Sequence, residues 1–452
     1  MNYTAQKFPT RTMDRALAAM DALFIPIIQL EMEFDFLLDE HRLAKAVSLL
    51  LEAEPILGCR FVRRILRPYW KSVEKDKSNV FTLTKNEIEY EAFKKKGIDF
   101  LSAPQILACL YRSESADRLT IKISHLVSDA AGVKDITATL STIYNRLDEE
   151  PGFHPDPNHC DSRSFRQITK HVPWAVRPRI VFNYLHETIK SVIPNKTHGV
   201  PVKNTSENAG KYITRHIEKE ELTNMIQYAK NRNATINDVL LAAIFRAYSR
   251  MGGWDGKAAL RMAMTIDLRR YLPEKKAESI SNFSSMEILT YGTAMEDDFE
   301  ATLARIVEMV NKRKSSWLGL SAFISLYLVL WAFPYAGLTL MTKKGWESKA
   351  NSPNAFDWFT NMGNISVEQV NFGGKPSRAL LLPPGCNLPL FFFGCSSYDG
   401  SLSFSASIMP DAENEMSTNR FFDLIVSELP LSQLQTTGTG GSTAATNSVS
   451  AG

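Results

Sequence analysis

The chain has 452 residues, of which 44% are hydrophobic and 22% are charged. Its 52 lysines and arginines nearly balance 49 aspartates and glutamates, which leaves a formal net charge of +3 at pH 7. This composition excludes a disordered chain, a collagen-like repeat and a highly basic protein that coats nucleic acid. The length predicts two domains or one two-lobed unit. The balanced charge gives no long-range attraction toward DNA, so we expect no nucleic-acid partner.

Cysteine usage and the N-terminal residues predict the compartment. The cysteines are odd in number and form no CxxC pair, so neither a zinc ribbon nor a redox dithiol is indicated: Cys59, Cys109, Cys160, Cys386 and Cys395. The first residues lack the charged start, long apolar run and cleavage site of a secretory signal. We therefore expect a cytoplasmic protein with reduced thiols.

The first half of the chain alternates between strand-like and helix-like patterns. Apolar and polar residues alternate over 30–36, which predicts a half-buried strand. Asp39 can then cap a helix that continues until Pro55. Residues 119–125 predict a second strand, and helical spacing returns after Gly132. Neighbouring β and α elements favour an α/β (α+β) two-layer sandwich.

A stretch rich in proline, histidine and asparagine separates the two halves. We interpret it as a crossover linker with a short apolar helix at 174–185. The last residues have almost no apolar bulk and predict a disordered tail. The predicted organisation is an N-terminal lobe at 1–165, a linker at 166–210, a C-terminal lobe at 211–432 and a tail at 433–452.

The second half repeats the mixture of strands and helices. Residues 211–217 predict a strand, and Thr235 can cap a strong helix that reaches residue 251. Residues 261–270 predict a buried strand that ends in a charged cluster. Two β-prone runs meet at Asp399-Gly400, which predicts a hairpin whose turn needs positive φ.

Residues 317–341 form an apolar stretch without a charged residue for 25 positions. By length it would qualify as a membrane span. A single span would place the predicted strand at 258–267 and the hairpin at 390–408 on opposite sides of a bilayer, and Pro334 would interrupt the helix. A buried helix pair or acyl-pocket wall, and a face resting on a membrane surface, stay open as alternatives.

Familiar catalytic motifs are absent from the sequence. There is no GxxxxGK[ST] phosphate loop, no GxGxxG, no HExxH and no GxSxG. One loop gathers residue types that a metal could use: His154, Asp156, His159, Cys160 and Asp161. We interpret this loop as a solvated, proline-rich connector and expect no metal site.

The segment from Ser124 to Gly132 carries the candidate chemistry. It contains His125 and Asp129 in an HxxxD spacing, which is weak evidence by itself. His125 has the same parity as the apolar residues of its strand, so it extends a buried face: Leu119, Ile121 and Ile123. A histidine at a strand end beside an aspartate is a candidate general base. From these residues alone, a structural histidine is an equally good interpretation.

SHLVSDAAG at 124–132 resembles the HxxxDG signature of the CoA-dependent acyltransferase superfamily. That superfamily includes chloramphenicol acetyltransferase, peptide-synthetase condensation domains, plant BAHD acyltransferases, wax ester synthases and alcohol acetyltransferases. LDEHRLAKAVSLLLEAEPILGCRF resembles the opening helix of the family and its "hPiLrtrF" ending. INDVLLAAIFRAY with IDLRRYLP resembles its mid-chain helix and arginine-bearing strand, TNMGNISVEQVNFGG its "SNxG…FG" segment, and SSYDGSLSFSASI its terminal hairpin.

The sequence departs from the family pattern at three points. Ala130 stands where the motif glycine is expected, and the glycine is delayed to Gly132. Ser124 stands where condensation domains and wax synthases usually have a second histidine. The NFGG at 371–374 lacks the tryptophan and leading aspartate of the plant motif. These departures favour an alcohol acetyltransferase-like or uncharacterised member.

The resemblance implies a fold and a set of site residues. It implies two chloramphenicol-acetyltransferase-like lobes in a V with a central tunnel, and His125 as the general base. Asp129 is then a structural residue that pairs with Arg269, or alternatively Arg270, and Gly132 supports the same loop. The tunnel residues would be Ser124, Asn361 and Gly363; for the last two, a simple turn between strands is an equally good interpretation.

The resemblance also implies a reaction and its partners. We expect an acyltransferase that moves an acyl group from acyl-CoA, a co-substrate, to the hydroxyl of a hydrophobic acceptor, with no metal or redox cofactor. One alternative is a condensation-type N-acyltransferase that takes the acyl group from a carrier protein. Another is a catalytically silent interaction module. We expect a monomer, with membrane-surface contact through 317–341 as an alternative to fully cytoplasmic behaviour.

Overall fold

The computed structural model describes most of the chain. The described residues are 6–21, 23–73, 80–102, 104–158, 163–180, 182, 196–203, 205, 210–350, 356–387 and 390–432. The predicted tail at 433–452 lies outside them, as does most of the second half of the predicted helix at 174–185. Its first half forms a 3-10 turn over Trp174–Val176 followed by helical residues at 177–180.

The described α-helices alternate with strands along the chain. They are α1 Thr12–Ala19, α2 Glu40–Ala53, α3 Glu87–Lys95, α4 Ala130–Glu149, α5 Arg166–Thr169, α6 Lys219–Lys230, α7 Ile236–Arg250, α8 Phe299–Lys314, α9 Leu320–Ala332, α10 Tyr335–Ala350 and α11 Ala412–Glu428.

The described strands form two large sheets and two small ones. They are β1 Lys7–Pro9, β2 Phe24–Ile25, β3 Ile27–Phe34, β4 Cys59–Val62, β5 Tyr69–Ser72, β6 Phe81–Thr84, β7 Ile106–Arg112, β8 Asp117–Ser124, β9 Thr197–His198, β10 Lys211–Ile217, β11 Ala259–Asp267, β12 Ser284–Gly292, β13 Asp357–Ile365, β14 Arg378–Leu382, β15 Gly385–Cys386, β16 Phe392–Tyr398 and β17 Ser401–Ile408.

The two large sheets define two lobes. The sheet of the N-terminal lobe has the order β14-β3-β8-β7-β6, and α2 and α4 pack together in that lobe. The sheet of the C-terminal lobe has the order β10-β17-β16-β13-β11-β12, with β9 beside β11, and α7 lies between α8 and α11. Each lobe has its own hydrophobic core. The predicted two-lobed α/β architecture is therefore confirmed.

The chain crosses between the lobes near its C-terminal end. Strand β14 pairs with β3 in the sheet of the N-terminal lobe, and β15 pairs with β2. Lys134, on α4, donates from Nζ to the carbonyl oxygens of Met362 and Asn364 on β13, at 3.0 Å each. These contacts fix the first lobe against the second. The linear division into four segments stays a prediction. It does not include this crossover, in which β14 and β15 of the C-terminal segment pair with strands of the N-terminal segment.

The predicted helix caps and hairpin are present. The side chains of Asp39 and Thr235 accept backbone N–H groups at the starts of α2 and α7. Strands β16 and β17 form the predicted hairpin, with Asp399 at φ 43° and Gly400 at φ 86°.

Two boundaries differ from the predicted ones. Helix α4 begins at Ala130 rather than after Gly132, because Asp129 caps it. The predicted strand at 261–270 ends at Asp267, and a 3-10 turn follows over Leu268–Tyr271.

The apolar stretch at 317–341 folds into α9 and the start of α10, which are separated at Pro334. Leu320 and Phe323 lie in the core of the C-terminal lobe, whereas Leu330 and Leu338 lie in the core of the N-terminal lobe. A helix pair is present and connects the two cores, but it is buried only in part, since Leu340 and Met341 are 59% and 58% exposed. Within the described part of the chain, no helix combines the length and the apolar character that crossing a membrane requires.

Candidate active site

His125 follows the last residue of β8 and lies in a turn before α4. Its backbone N–H donates to the carbonyl oxygen of Pro26 at 2.6 Å. Its ring Nδ1 lies 2.8 Å from the carbonyl oxygen of Ser128. Because a carbonyl oxygen can only accept, Nδ1 carries the proton in this contact and Nε2 keeps its lone pair. The residue as a whole is partly buried. A proton acceptor with a fixed tautomer therefore stands at the end of the strand.

The surroundings of His125 favour the neutral imidazole. Burial lowers the pKa of His125 below its ordinary value, although the hydrogen bond to Ser128 and the charge of Asp129 raise it in part. A neutral imidazole at pH 7 is the protonation state that a general base needs.

Asp129 lies four residues after His125 and is held by three donors. Its Oδ2 accepts from Arg269 Nη1 at 2.6 Å and from the backbone N–H of Phe283 at 2.7 Å. Its Oδ1 accepts from the backbone N–H of Gly132 at 2.9 Å. Burial alone would raise the pKa of Asp129, but the guanidinium of Arg269 and these N–H groups lower it below its ordinary value. Asp129 is therefore an ionised structural residue, and Arg269 rather than Arg270 is its partner.

The segment 280–283 forms the opposite wall of the site. Asn282 Nδ2 donates to the carbonyl oxygen of His125 at 2.7 Å. The carbonyl oxygen of Ser281 accepts from Arg269 Nη2 at 2.9 Å, and Phe283 donates to Asp129 as described above. Residues 125–129, here called the histidine loop, belong to the first lobe. Consecutive hydrogen bonds from the second lobe thus hold this loop. The sequence alone does not indicate this segment, because its contacts are with residues about 150 positions away.

A second buried ion pair supports the same loop. Arg163 contacts Asp14 through both terminal nitrogens at 3.0 Å, and their side chains are 2% and 1% exposed. Arg163 Nε donates to the carbonyl oxygen of Ile280 at 2.8 Å, and Nη2 donates to that of Val127 at 3.2 Å. Arg163 therefore connects α1, the histidine loop and the 280–283 segment. The sequence alone does not indicate this pair, since neither residue stands in a recognisable motif.

The position of Gly132 explains the displaced glycine of the motif. A Cβ at Gly132 would lie 2.4 Å from Ser128 Oγ, so a larger residue would force this buried serine side chain to move. Ala130 is the first residue of α4, where a methyl group is compatible with the helical backbone. In this chain the backbone comes close to the Ser128 side chain at position 132, so position 130 can hold an alanine.

The predicted tunnel residues occupy different surroundings. Ser124 is the last residue of β8 and is buried, and its hydroxyl has no hydrogen-bond partner among the described residues. Asn361 Oδ1 accepts the backbone N–H of Gly363 at 3.0 Å, and Gly363 has a φ of 75°. Asn361 Nδ2 also lies 3.3 Å from Asn237 Oδ1. These two residues lie at an irregularity within β13, where the pairing with β16 shifts register between Asn361 and Asn364, and their contact with a substrate stays a prediction.

The described residues contain no group of three or more histidine, cysteine, aspartate or glutamate side chains that could hold a metal ion. From the loop considered above, His154 and Asp156 are described, and His154 Nδ1 lies 3.7 Å from Glu52 Oε2. The other three residues, His159, Cys160 and Asp161, lie outside the described part of the chain.

Removing the donor of Asn282 should impair turnover without unfolding the protein. Asn282→Ala loses the N–H that holds the carbonyl oxygen of His125, whereas Asn282→Asp also places a buried carboxylate beside that oxygen and so serves as the harsher variant. We expect kcat to fall between about tenfold and about a hundredfold, with KM nearly unchanged, because the base is displaced from its reacting position. Steady-state kinetics and thermal unfolding of Asn282→Asp and Asn282→Ala check this. A rise in KM with an unchanged kcat would show that Asn282 does not position His125.

No family model matches the chain. A search of curated proteins finds 26% identity over 208 residues with a linear gramicidin synthase of Brevibacillus parabrevis. That alignment covers 45% of this chain but only 4% of the synthase. The chain therefore spans a small fraction of this relative's length.

Solved structures share the fold over nearly the whole chain. The trichothecene 15-O-acetyltransferase of Fusarium sporotrichioides superposes with a TM-score of 0.69 at 11% identity, covering 94% of this chain and 98% of that one. The first condensation domain of the CDA synthetase gives a TM-score of 0.67 at 11% identity, with 95% and 98% covered. Polyketide synthase associated protein 5 of Mycobacterium tuberculosis gives 0.63 at 14% identity, with 93% and 98% covered.

Proposed function

We propose that this chain, which has the fold shared by CoA-dependent acyltransferases and condensation domains, transfers an acyl group from a thioester to a hydroxyl acceptor. The observation that carries the proposal is the state of His125. Its Nδ1 proton is engaged by Ser128, its Nε2 retains a lone pair, and the residue lies, partly buried, where Asn282 of the second lobe contacts it.

His125 would act as the general base in a single displacement. Nε2 takes the proton of the acceptor hydroxyl as its oxygen attacks the thioester carbonyl, and a tetrahedral oxyanion forms. Collapse breaks the C–S bond and expels a thiolate, which is a good leaving group because an ordinary thiol has a pKa of about 8.5. The thiolate then takes the proton from the imidazolium. The reaction balances with thioester and acceptor alone, and proximity of the two supplies part of the rate.

The remaining contacts keep the base in place. The Asp129–Arg269 pair and the Asp14–Arg163 pair hold Asp129 and Val127 against the 280–283 segment. A site held on both sides loses little energy to reorganisation during the reaction. In this proposal the donor and the acceptor approach His125 from opposite sides, through a tunnel between the lobes.

We infer that the donor is an acyl-CoA and that the acceptor is a hydrophobic alcohol. Ser124 supports this over peptide condensation, because condensation domains usually have a histidine there. The likeness to a gramicidin synthase favours a second candidate, in which a carrier protein presents the acyl thioester and an amine accepts it.

A donor panel separates the two candidates. The full chain is supplied with acyl-CoAs of several chain lengths, or with acylated carrier proteins, and with alcohols or amines, while free thiol is followed continuously. Acceptor-dependent thiol release from acyl-CoA with alcohols supports the proposal, and the preferred chain length reports the acyl pocket. Release only from carrier proteins with amines would favour condensation, and release from no donor would contradict acyl transfer.

We expect the acid limb of the pH profile to lie below the ordinary histidine pKa of about 6.5. Only neutral His125 accepts a proton, and burial lowers its pKa, so activity persists as the pH falls through that value. The measurement is kcat/KM between about pH 5 and about pH 8. An acid limb centred above about pH 7 would contradict the assignment of His125 as the base.

Folding must be followed at each pH, because other groups titrate in the same range. Burial raises the pKa of Glu54 and of Asp357 to about 7. When folding raises the pKa of a carboxyl group, the free energy of unfolding of the protein falls as the pH rises toward the folded-state pKa. This effect runs opposite to the loss of activity expected at low pH, so thermal unfolding distinguishes the two.

A further inference from the structure

Helices α9 and α10 and the turn that joins them expose several large apolar side chains, here called the apolar tip: Leu328, Val329, Phe333, Leu340 and Met341. Phe333 is 46% exposed, Leu340 59% and Met341 58%. Large apolar side chains that are clustered and exposed mark an interaction surface more often than scattered ones do. The tip is firmly placed, because Leu330 and Leu338 on the same helices are buried in the core of the N-terminal lobe.

A loop of the N-terminal lobe extends this surface. Ile65 and Leu66 are 74% and 68% exposed, and they lie in the sequence RRILR at 63–67, here called the arginine loop. The carbonyl oxygen of Ile65 accepts from the backbone N–H of Ala336 at 3.2 Å. Leu66 and Phe333 line one surface cleft. The fold thus brings together two exposed apolar segments that are about 270 residues apart in the sequence.

Cationic side chains border the apolar surface. Arg64 and Arg67 flank Ile65 and Leu66 in the arginine loop, and Lys343 and Lys344 follow Met341 on α10. All four residues are exposed, and among the described side chains none of them forms an ion pair. No acidic residue occurs between positions 309 and 346. The surface therefore combines exposed apolar groups with a positive rim.

We propose that the apolar tip and the arginine loop together bind the surface of an anionic lipid bilayer. Apolar side chains that protrude beside unpaired cations match a bilayer interface, where acyl chains lie beneath negatively charged headgroups. The aromatic ring of Phe333 and the aliphatic chains would enter the headgroup boundary, while Arg64 and Arg67 contact phosphate and carboxylate groups. Because α9 also packs in the core of the C-terminal lobe, bilayer contact would hold both lobes at the surface.

Vesicle flotation of the full chain tests this proposal. The probes are vesicles of phosphatidylcholine alone and vesicles that also contain about one third phosphatidylserine. We expect wild type to bind the anionic vesicles more tightly. Leu66→Ser/Phe333→Ser should weaken binding by on the order of tenfold on both, because apolar contact is lost. Arg64→Gln/Arg67→Gln should weaken binding to the anionic vesicles by about twentyfold and change binding to neutral ones little.

Matched controls come from exposed residues elsewhere. Ile88→Ser changes an apolar side chain that is 79% exposed on α3, and Arg420→Gln removes an exposed charge on α11. Both should bind vesicles like wild type, and thermal unfolding should be unchanged in every variant. Equal binding by wild type and the two double variants, Leu66→Ser/Phe333→Ser and Arg64→Gln/Arg67→Gln, would overturn the proposal. Absence of binding to either kind of vesicle would overturn it as well. A dimer or an acyl-carrier complex that Phe333→Ser disrupts, without vesicle binding, would also overturn it.

Discussion

Replacing His125 by alanine is expected to lower acceptor-dependent thiol release by a factor of about 10² to 10⁴, which is the usual contribution of a general base. The acceptor hydroxyl would then have to lose its proton to water while it attacks. Folding should survive, because the backbone contacts of residue 125 with Pro26 and Asn282 do not involve the ring. The lost hydrogen bond to Ser128 is a modest part of the stability.

The measurement compares initial rates with melting temperatures. His154→Ala serves as a matched control, because its side chain is 68% exposed and lies outside the candidate site. It should retain the wild-type rate. A folded His125→Ala variant with wild-type turnover would remove His125 from the reaction.

Asp129→Ala is expected to destabilise the fold by about 3–5 kcal/mol, because it removes the closer and more buried of the two carboxylates that pair with Arg269; the other, Asp267, lies 3.3 Å away with a side chain that is 51% exposed. Arg269 is 3% exposed and cannot turn its guanidinium toward water without disturbing the surrounding chain. The substitution also removes the acceptor for the N–H groups of Gly132 and Phe283.

A variant at a second helix cap distinguishes the contribution of the ion pair to stability from the contribution of the cap. Asp298 caps α8 and accepts the backbone N–H of Ala301 at 2.7 Å, but it is exposed and has no arginine partner among the described residues. Asp298→Ala should cost only about 1 kcal/mol. Urea unfolding of the two variants measures the difference. Equal losses would mean that the Asp129–Arg269 pair does not stabilise the loop beyond a simple cap.

Sequence patterns predicted the local parts of this fold well. Asp39 and Thr235 have the residue types that satisfy free N–H groups at helix starts, and Asp399-Gly400 has the types that tolerate positive φ. His125 was recognisable because its parity continues an apolar strand face and because its neighbours resemble a known motif. The partner of Asp129 was predicted from the same resemblance, with Arg270 as the alternative.

The parts that could not be predicted depend on contacts between distant residues. Arg163 and Asp14 form a buried pair across 149 positions, and neither belongs to a periodic pattern. Asn282 follows a loop and resembles any polar turn residue until the fold places it on His125. Strand β14 is too short for its sequence to indicate that it joins the sheet of the other lobe. Only the tertiary structure specifies these partners.

The central claim is that His125 deprotonates the acceptor in a direct transfer from the thioester. Mass measurement of the protein and of the small-molecule product in one reaction, for wild type beside His125→Ala, tests it most directly. The account predicts acylated acceptor from wild type only, while the mass of the chain stays unchanged throughout. Acylated acceptor formed equally fast by His125→Ala, or a chain that gains the acyl mass before acceptor is added, would contradict it.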